Sequence, residues 1–329
     1  MKMSIKKLAK LANVSATTVS LVLNNKPSRI SESKKSEIKE LAQLHDYEPN
    51  FSAINLVMKQ SKTIGLLIPD IENLFFSALA KKVEDELRQE GYSLIFVNSN
   101  DDYKQDLSLL KNLVNRGVDG LLLTVANDSI KHKSSYESLL KRLNTPFVMV
   151  DRNIGNPNHP QVFFDNKLGG YMATQYLIEK GYKKIACLST KDISVNGLYR
   201  YEGYVKALEQ AGYNIDQSIV FSGDYRFQSG YEIADKLILE NCDALFAGND
   251  LMAYGVIKRL RELGKNVPND IEVVGYDNLE FSRMLGLELP SIEQNISDLG
   301  KKSVELLLNI INNHPVDTVI ELKPTFKKY

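Results

Sequence analysis

The residues of this chain best suited to chemistry are polar or aromatic groups that follow runs of apolar ones. Asn73, Phe75 and Phe76 come just after TIGLLIPD at 63–70, and Asp151 and Arg152 close PFVMVDRN at 146–153. Tyr225 follows SIVFSGD at 218–224, Asn249 ends DALFAGND at 243–250, and Asp277 ends IEVVGYDN at 271–278. Arg200 and Gln294 lie between and beyond such runs. Aspartate, asparagine, arginine and glutamine offer planar pairs of donors or acceptors. A sugar needs such pairs for its hydroxyls and aromatic faces for its ring. Taken singly, each candidate has a structural alternative. Phe75 and Phe76 fit the core of a first helix, Asp250 beside Asn249 fits an N-cap, and Asp151–Arg152 fits an ion pair. Placement at the carboxyl ends of strands favours a binding site when they are taken jointly.

Other chemistries lack their residues. The sequence holds no glycine-rich phosphate loop, no G-x-S-x-G and no H-E-x-x-H. His45, His132, His159 and His314 are scattered in turn or polar contexts and read as surface residues. Cys187 and Cys242 have no metal or redox spacing and read as small apolar filler, in keeping with a reducing cytosol. The expectation is a protein that is not an enzyme and that carries no cofactor and no metal.

The elements that must position these groups follow from the pattern. At 329 residues, 43% hydrophobic and 25% charged, the chain suits a globular protein of two or three domains. Eight nearly continuous apolar runs occur, the remaining three at 92–100, 118–125 and 184–190. Each ends in polar or acidic residues, as parallel strands buried on both faces do. Amphipathic segments at 75–89, 105–116, 166–179 and 251–263 lie between them. This βα alternation predicts a doubly wound α/β body. Eight or more strands suggest two sheets, divided near residue 162. No apolar run approaches the roughly 20 residues that span a bilayer. The opening MKMSIKKLAK lacks the apolar stretch of a signal peptide. A cytoplasmic protein without membrane attachment is expected.

The amino-terminal segment differs. Net charge is zero, yet residues 1–31 carry Lys2, Lys6, Lys7, Lys10, Lys26 and Arg29 with no acidic residue. A basic head on an acidic body is the electrostatic footprint of a nucleic-acid-binding module. Ile5, Leu8, Ala9 and Ala12 recur at helical spacing. Asn13 suits a left-handed turn, and Ser15 suits the N-cap of a second helix that buries Val19, Val22 and Leu23. Ser31 then caps a third helix through Ile38, Leu41, Ala42 and Leu44. Helix, tight turn and helix form a helix-turn-helix whose second helix would enter a major groove. Tyr47-Glu48-Pro49-Asn50 marks a turn, and 51–59 a short apolar helix that needs a partner surface.

In SIKKLAKLANVSATTVSLVLN, YEPNFSAINL, TIGLLIPDIENLFFSALAKKVED, VMVDRN, RYEGY, GDYRFQSGYE, FAGNDLMAYGV and VVGYDN, the chain resembles the lactose/galactose repressor family across nearly its whole length. The resemblance implies a helix-turn-helix domain at 1–48, a hinge helix and linker at 49–61, and a two-lobed core with the fold of periplasmic sugar-binding proteins. Its first lobe would take 62–161 and 292–323, and its second 162–291. Ala16, Thr17 and Leu21 would read bases, and Thr18, Ser20 and Asn24 would hold phosphates. Ser4, Ser15 and Asn50 complete the DNA-binding set. Leu21 departs from the arginine frequent at this position, and leucine either touches a thymine methyl or simply packs. Ala53 and Leu56 stand where paired hinge helices enter the minor groove, Leu56 as an apolar wedge or as a packed linker residue. Paired hinges imply a homodimer on a pseudo-palindromic operator. The ten strand-end residues named above match the set used by ribose-binding relatives, apart from the aromatic at Tyr225, so the effector favoured is a ribose-like pentose. Leu74 replaces the family's usual proline. A transport-type sugar-binding protein, a purine effector and a phosphoprotein co-effector on the first lobe are the alternatives.

Overall fold

The computed structural model describes residues 3–23, 26–47 and 60–328. The chain divides into two units, Met1–Ser61 and Lys62–Tyr329. In the first, α1 is Ile5–Leu11, α2 is Ala16–Leu23 and α3 is Glu32–Leu44. Ser4 and Ser31 accept the Lys7 and Lys34 amides at 3.3 Å each, so two exposed helix ends gain the partners they lack internally. Asn13 makes the turn between α1 and α2 at φ 52°. Leu8, Ala9, Ala12, Val19, Val22, Ile38 and Ala42 form the core of this unit. The small alanines let α1 and α2 cross closely.

The second unit contains two six-stranded sheets. Its strands are β1 (Thr63–Ile68), β2 (Ser93–Asn98), β3 (Gly120–Leu123), β4 (Phe147–Val150), β5 (Gln161–Phe164), β6 (Ile185–Ser189), β7 (Val220–Ser222), β8 (Ala244–Ala247), β9 (Glu272–Asp277), β10 (Ser291–Glu293), β11 (Val319–Leu322) and β12 (Thr325–Lys327). The first sheet runs β11-β5-β4-β3-β1-β2 and the second β12-β10-β9-β8-β6-β7. All neighbours are parallel except β10 and β12. The two sheets share one strand order and differ only in the direction of the last strand, parallel in β11 and antiparallel in β12. In each, the chain reverses direction beside the first strand, between β1 and β3 and between β6 and β8, which leaves a crevice at the strand ends. Central strands β3, β6, β8 and β9 are buried throughout, whereas edge strand β2 is exposed or half-buried along its length. That explains why the central runs are apolar without alternation.

Sheet membership locates the passages between lobes. β5 belongs to the first sheet and β10 to the second, so the chain crosses after Phe164, after Glu293 and again between β11 and β12. These points lie two or three residues beyond the divisions at 161/162 and 291/292 expected from the sequence. β5 and β10 are too short to announce themselves; β11 ends the first lobe near residue 323 as expected, and β12 beyond it joins the second sheet.

Helices cross by direct backbone contact in the second lobe. A Cβ on Gly170 would lie 2.0 Å from the Arg200 carbonyl oxygen, and one on Gly203 2.1 Å from that of Lys167. The device recurs where Gly230 meets Met252 and Gly255 meets Phe227. Among the described residues, no helix is long and apolar enough to cross a membrane.

Candidate functional site

Three of the strand-end groups stand on backbone that only local anchoring tolerates. Asp151, Tyr225 and Asp277 have φ of 63°, 69° and 106°. Such conformations cost of order 1–3 kcal/mol and gather at functional sites. Asn249 holds Tyr225, its Nδ2 donating to the Tyr225 carbonyl at 2.9 Å while its Oδ1 accepts the Met252 amide at 3.0 Å. Asn249 is therefore the N-cap of the Asp250–Glu262 helix. Asp250, read above as an N-cap, instead accepts the Leu279 amide and the Ser291 hydroxyl, each at 2.7 Å, and ties the ends of β8, β9 and β10 together.

The ten strand-end residues, joined by Asn196, line one cavity between the two lobes. Arg200 is its most constrained member. Its Nε donates to Asn166 Oδ1 at 2.8 Å and its Nη1 to the Gly248 carbonyl at 2.6 Å, and its guanidinium lies 3.6 Å over the Tyr276 ring. Gln294 donates through Nε2 to Asp277 at 2.8 Å, which fixes the amide's orientation. Its Oε1 is buried with no partner in the protein. Asn196 donates to Asp151 Oδ1 at 3.3 Å. Burial pushes the Asp277 carboxyl up to about 7 and Asp250 up to about 8; it also raises Asp151, against the pull of Arg152 and Arg200.

Arg152 is bonded to Asp101 at 3.0 Å, so the ion pair weighed for Asp151–Arg152 is not the one formed. Its guanidinium also lies 5.0 Å from the Phe76 ring and 5.7 Å from that of Tyr225. Phe75 and Phe76 are both core and lining, packed edge to face at 5.2 Å. Asn73 caps the Leu74–Gln89 helix through Phe75. The cavity measures about 20 Å³, room for about one water and too little for a sugar ring. A sugar enters only when the lobes separate. Asn196, Asp101 and Ser194, the last bonded to Tyr225 Oη at 3.1 Å, were not among the candidates. Asn196 precedes Arg200 by one helical turn, and that spacing alone signals a shared face. His159, read as a surface residue, is half-buried edge-on to Phe147 at 5.1 Å, and His132 stacks on Tyr103 at 3.4 Å.

In the amino-terminal unit, Ser15 Oγ accepts the Thr18 amide at 3.1 Å and meets the Thr18 hydroxyl at 2.8 Å. Ser4 caps α1. Thr17 is exposed, Ser20 half-buried, and Ala16 packs against the core of the unit. Leu21 is half-buried and is not among the side chains packed on that core. Asn24, Asn50, Ala53 and Leu56 lie outside the described residues.

A two-lobed core with a polar interlobe cavity, preceded by a basic helix-turn-helix unit, defines a ligand-responsive DNA-binding regulator. Residues 4–50 match the bacterial regulatory proteins of the lacI family, and 61–328 match the periplasmic binding proteins and sugar-binding domain of that family. The chain belongs to the LacI family. It is 35% identical to the ribose operon repressor of Halalkalibacterium halodurans over 96% of this chain and 92% of the relative. It superposes on a lac repressor dimer bound to operator and an anti-inducer with a TM-score of 0.90, at 26% identity, covering 100% of this chain and 98% of the other. A LacI family regulator from Enterococcus faecium with bound ribose gives a TM-score of 0.73 at 32% identity, covering 81% of this chain and 97% of that one. The protein is a DNA-binding transcriptional repressor under small-molecule control, not an enzyme.

Proposed function

We propose that this repressor answers to a ribose-like pentose, which binds between the lobes and releases a homodimer from a pseudo-palindromic operator in the cytoplasm. The observation that carries the reading is the cavity's lining. Gln294 keeps a buried, unpartnered oxygen whose orientation is locked by Asp277. An unsatisfied acceptor of this kind costs about 1–3 kcal/mol unless a donor reaches it, and a sugar hydroxyl is such a donor. Asp151, Asp277 and Arg200 supply hydrogen-bonding partners, and Phe76 and Tyr225 supply ring faces. The relatives named for ribose support the pentose. In the headpiece, Ala16, Thr17 and Leu21 read bases, Thr18, Ser20 and Asn24 hold phosphates, and Ser4 and Ser15 complete the DNA-binding set. Asn50, Ala53 and Leu56 belong to the hinge, with Leu56 as the minor-groove wedge.

Calorimetry with a panel of pentoses and hexoses, followed by electrophoretic shift on candidate promoter DNA with and without the sugar that binds, tests this. The expected result is a pentose that binds and weakens the DNA complex. Binding of hexoses alone ends the pentose assignment, and a complex strengthened by sugar reverses the sign. In the same assay Leu56→Ala should weaken operator binding while sugar affinity stays unchanged.

A further inference from the structure

Two arginines line the inner cavity between the lobes, and their surroundings differ. Arg200 is bonded to neutral groups, Asn166 and the Gly248 carbonyl. Arg152 is bonded to a carboxylate, its Nη1 lying 3.0 Å from Asp101 Oδ1. The cavity's own carboxyls, Asp151 and Asp277, are poor counter-charges, because burial pushes both up, Asp277 to about 7. Left to themselves, two guanidiniums in such a space would favour an anionic ligand.

Asp101 changes that balance from outside. It is not part of the inner cavity's lining, but it borders the larger space beyond, which Arg152 also lines. It sits in the loop after β2, in a left-handed conformation at φ 60°, with its amide donating to the Pro69 carbonyl at 2.8 Å. Its Oδ1 also accepts the Asn127 amide at 2.8 Å, and its Oδ2 accepts Asn127 Nδ2. Three donors therefore fix the carboxylate, and the carboxylate fixes Arg152 against the Phe76 and Tyr225 rings. The Arg152 side chain is only 10% exposed, so solvent and salt screen the pair weakly. Asp101 both aims the guanidinium and cancels its charge. Asp70, Glu72 and Asp224 line the same outer space and add repulsion of the same sign.

We propose that Asp101 is a specificity-determining residue that makes this site select an uncharged sugar over that sugar's phosphate ester. It acts through Arg152, as a positioning residue. Selectivity arises from penalising the wrong ligand as well as from holding the right one. A phosphate carried into the cleft would meet an arginine whose charge is already answered, beside a carboxylate that repels it. The inference rests on the sugar reading above and adds what the site rejects.

Calorimetry on the full chain with two pairs, ribose and ribose 5-phosphate, and glucose and glucose 6-phosphate, tests this. In the wild-type protein the sugar that binds should do so at least tenfold more tightly than its phosphate. Asp101→Asn keeps the side chain's shape and suits the left-handed backbone. It should cut that preference at least tenfold, with the phosphate's own affinity rising. Lost packing alone would weaken both ligands and strengthen neither. Asp101→Glu, which keeps the carboxylate, should keep the preference for the sugar. Adding Arg152→Gln to Asp101→Asn should remove the phosphate's gain. A wild-type preference for the phosphate, or a preference unchanged in Asp101→Asn, overturns the proposal and leaves the sugar reading standing. Binding of none of the four compounds by the wild-type protein overturns both.

Discussion

Arg200 concentrates the residue-scale logic of the cleft. A buried guanidinium needs its donors satisfied, and Asn166, Gly248 and the Tyr276 face supply partners from three separate segments. Each charged hydrogen bond is worth roughly 1.5–3 kcal/mol. Arg200→Ala should therefore lower sugar affinity by about 10–100-fold and abolish the response of the DNA complex to sugar, while operator binding persists. Calorimetry and electrophoretic shift read the two effects separately. Asp250 makes a second prediction, through pH. Burial raises its carboxyl to about 8, so between pH 4 and that value the folded chain holds a proton that the unfolded chain has released. Its contribution is complete below the ordinary carboxylate range and is lost as pH rises toward 8, with Asp277 adding the same sign up to about 7. The thermal midpoint should fall from pH 6 to pH 9, and Asp250→Asn should flatten that slope.

At the scale of elements, the interlobe cavity depends on how closely helices meet. The Asn166–Glu179 and Val195–Gln210 helices touch at Gly170 and Gly203, with no room for a side chain at either. The carbonyl against Gly170 is that of Arg200 itself, and a Cβ on neighbouring Gly169 would strike the Tyr276 ring that supports the guanidinium. Gly170→Ala would push the helices apart. It should cost roughly 1–3 kcal/mol of stability and weaken sugar binding with no ligand contact altered, a pairing that denaturant unfolding and calorimetry together detect. The same contact recurs where Gly230 meets Met252 and Gly255 meets Phe227.

For the whole molecule, the control of DNA binding by a small molecule is a coupling free energy and must be reciprocal. If sugar lowers operator affinity by some factor, operator DNA must lower sugar affinity by the same factor. Titrating sugar into the free protein and into its operator complex measures both sides. Unequal factors would mean that one of the titrations had not reached equilibrium. The inner cavity of about 20 Å³ gives this coupling a physical basis, since a ring can be accommodated only by changing the separation of the lobes.

Much of this was legible in the residues themselves. Apolar runs such as 63–70 and 243–250 announced buried parallel strands because both faces of a central strand must be apolar. Asn13, Ser15 and Ser31 announced turn and caps because those bonds are local. The polar groups after the runs marked the cleft because strand ends converge there. Long-range pairing escaped the sequence. Nothing in the order of residues says that Arg152 takes Asp101 instead of its neighbour, or that Gln294 retains an unmet oxygen. Nor does it reveal that β5 and β10 lie on opposite sides of the passages. Those outcomes depend on which distant groups the two sheets bring within hydrogen-bond reach, and only the assembled fold decides that.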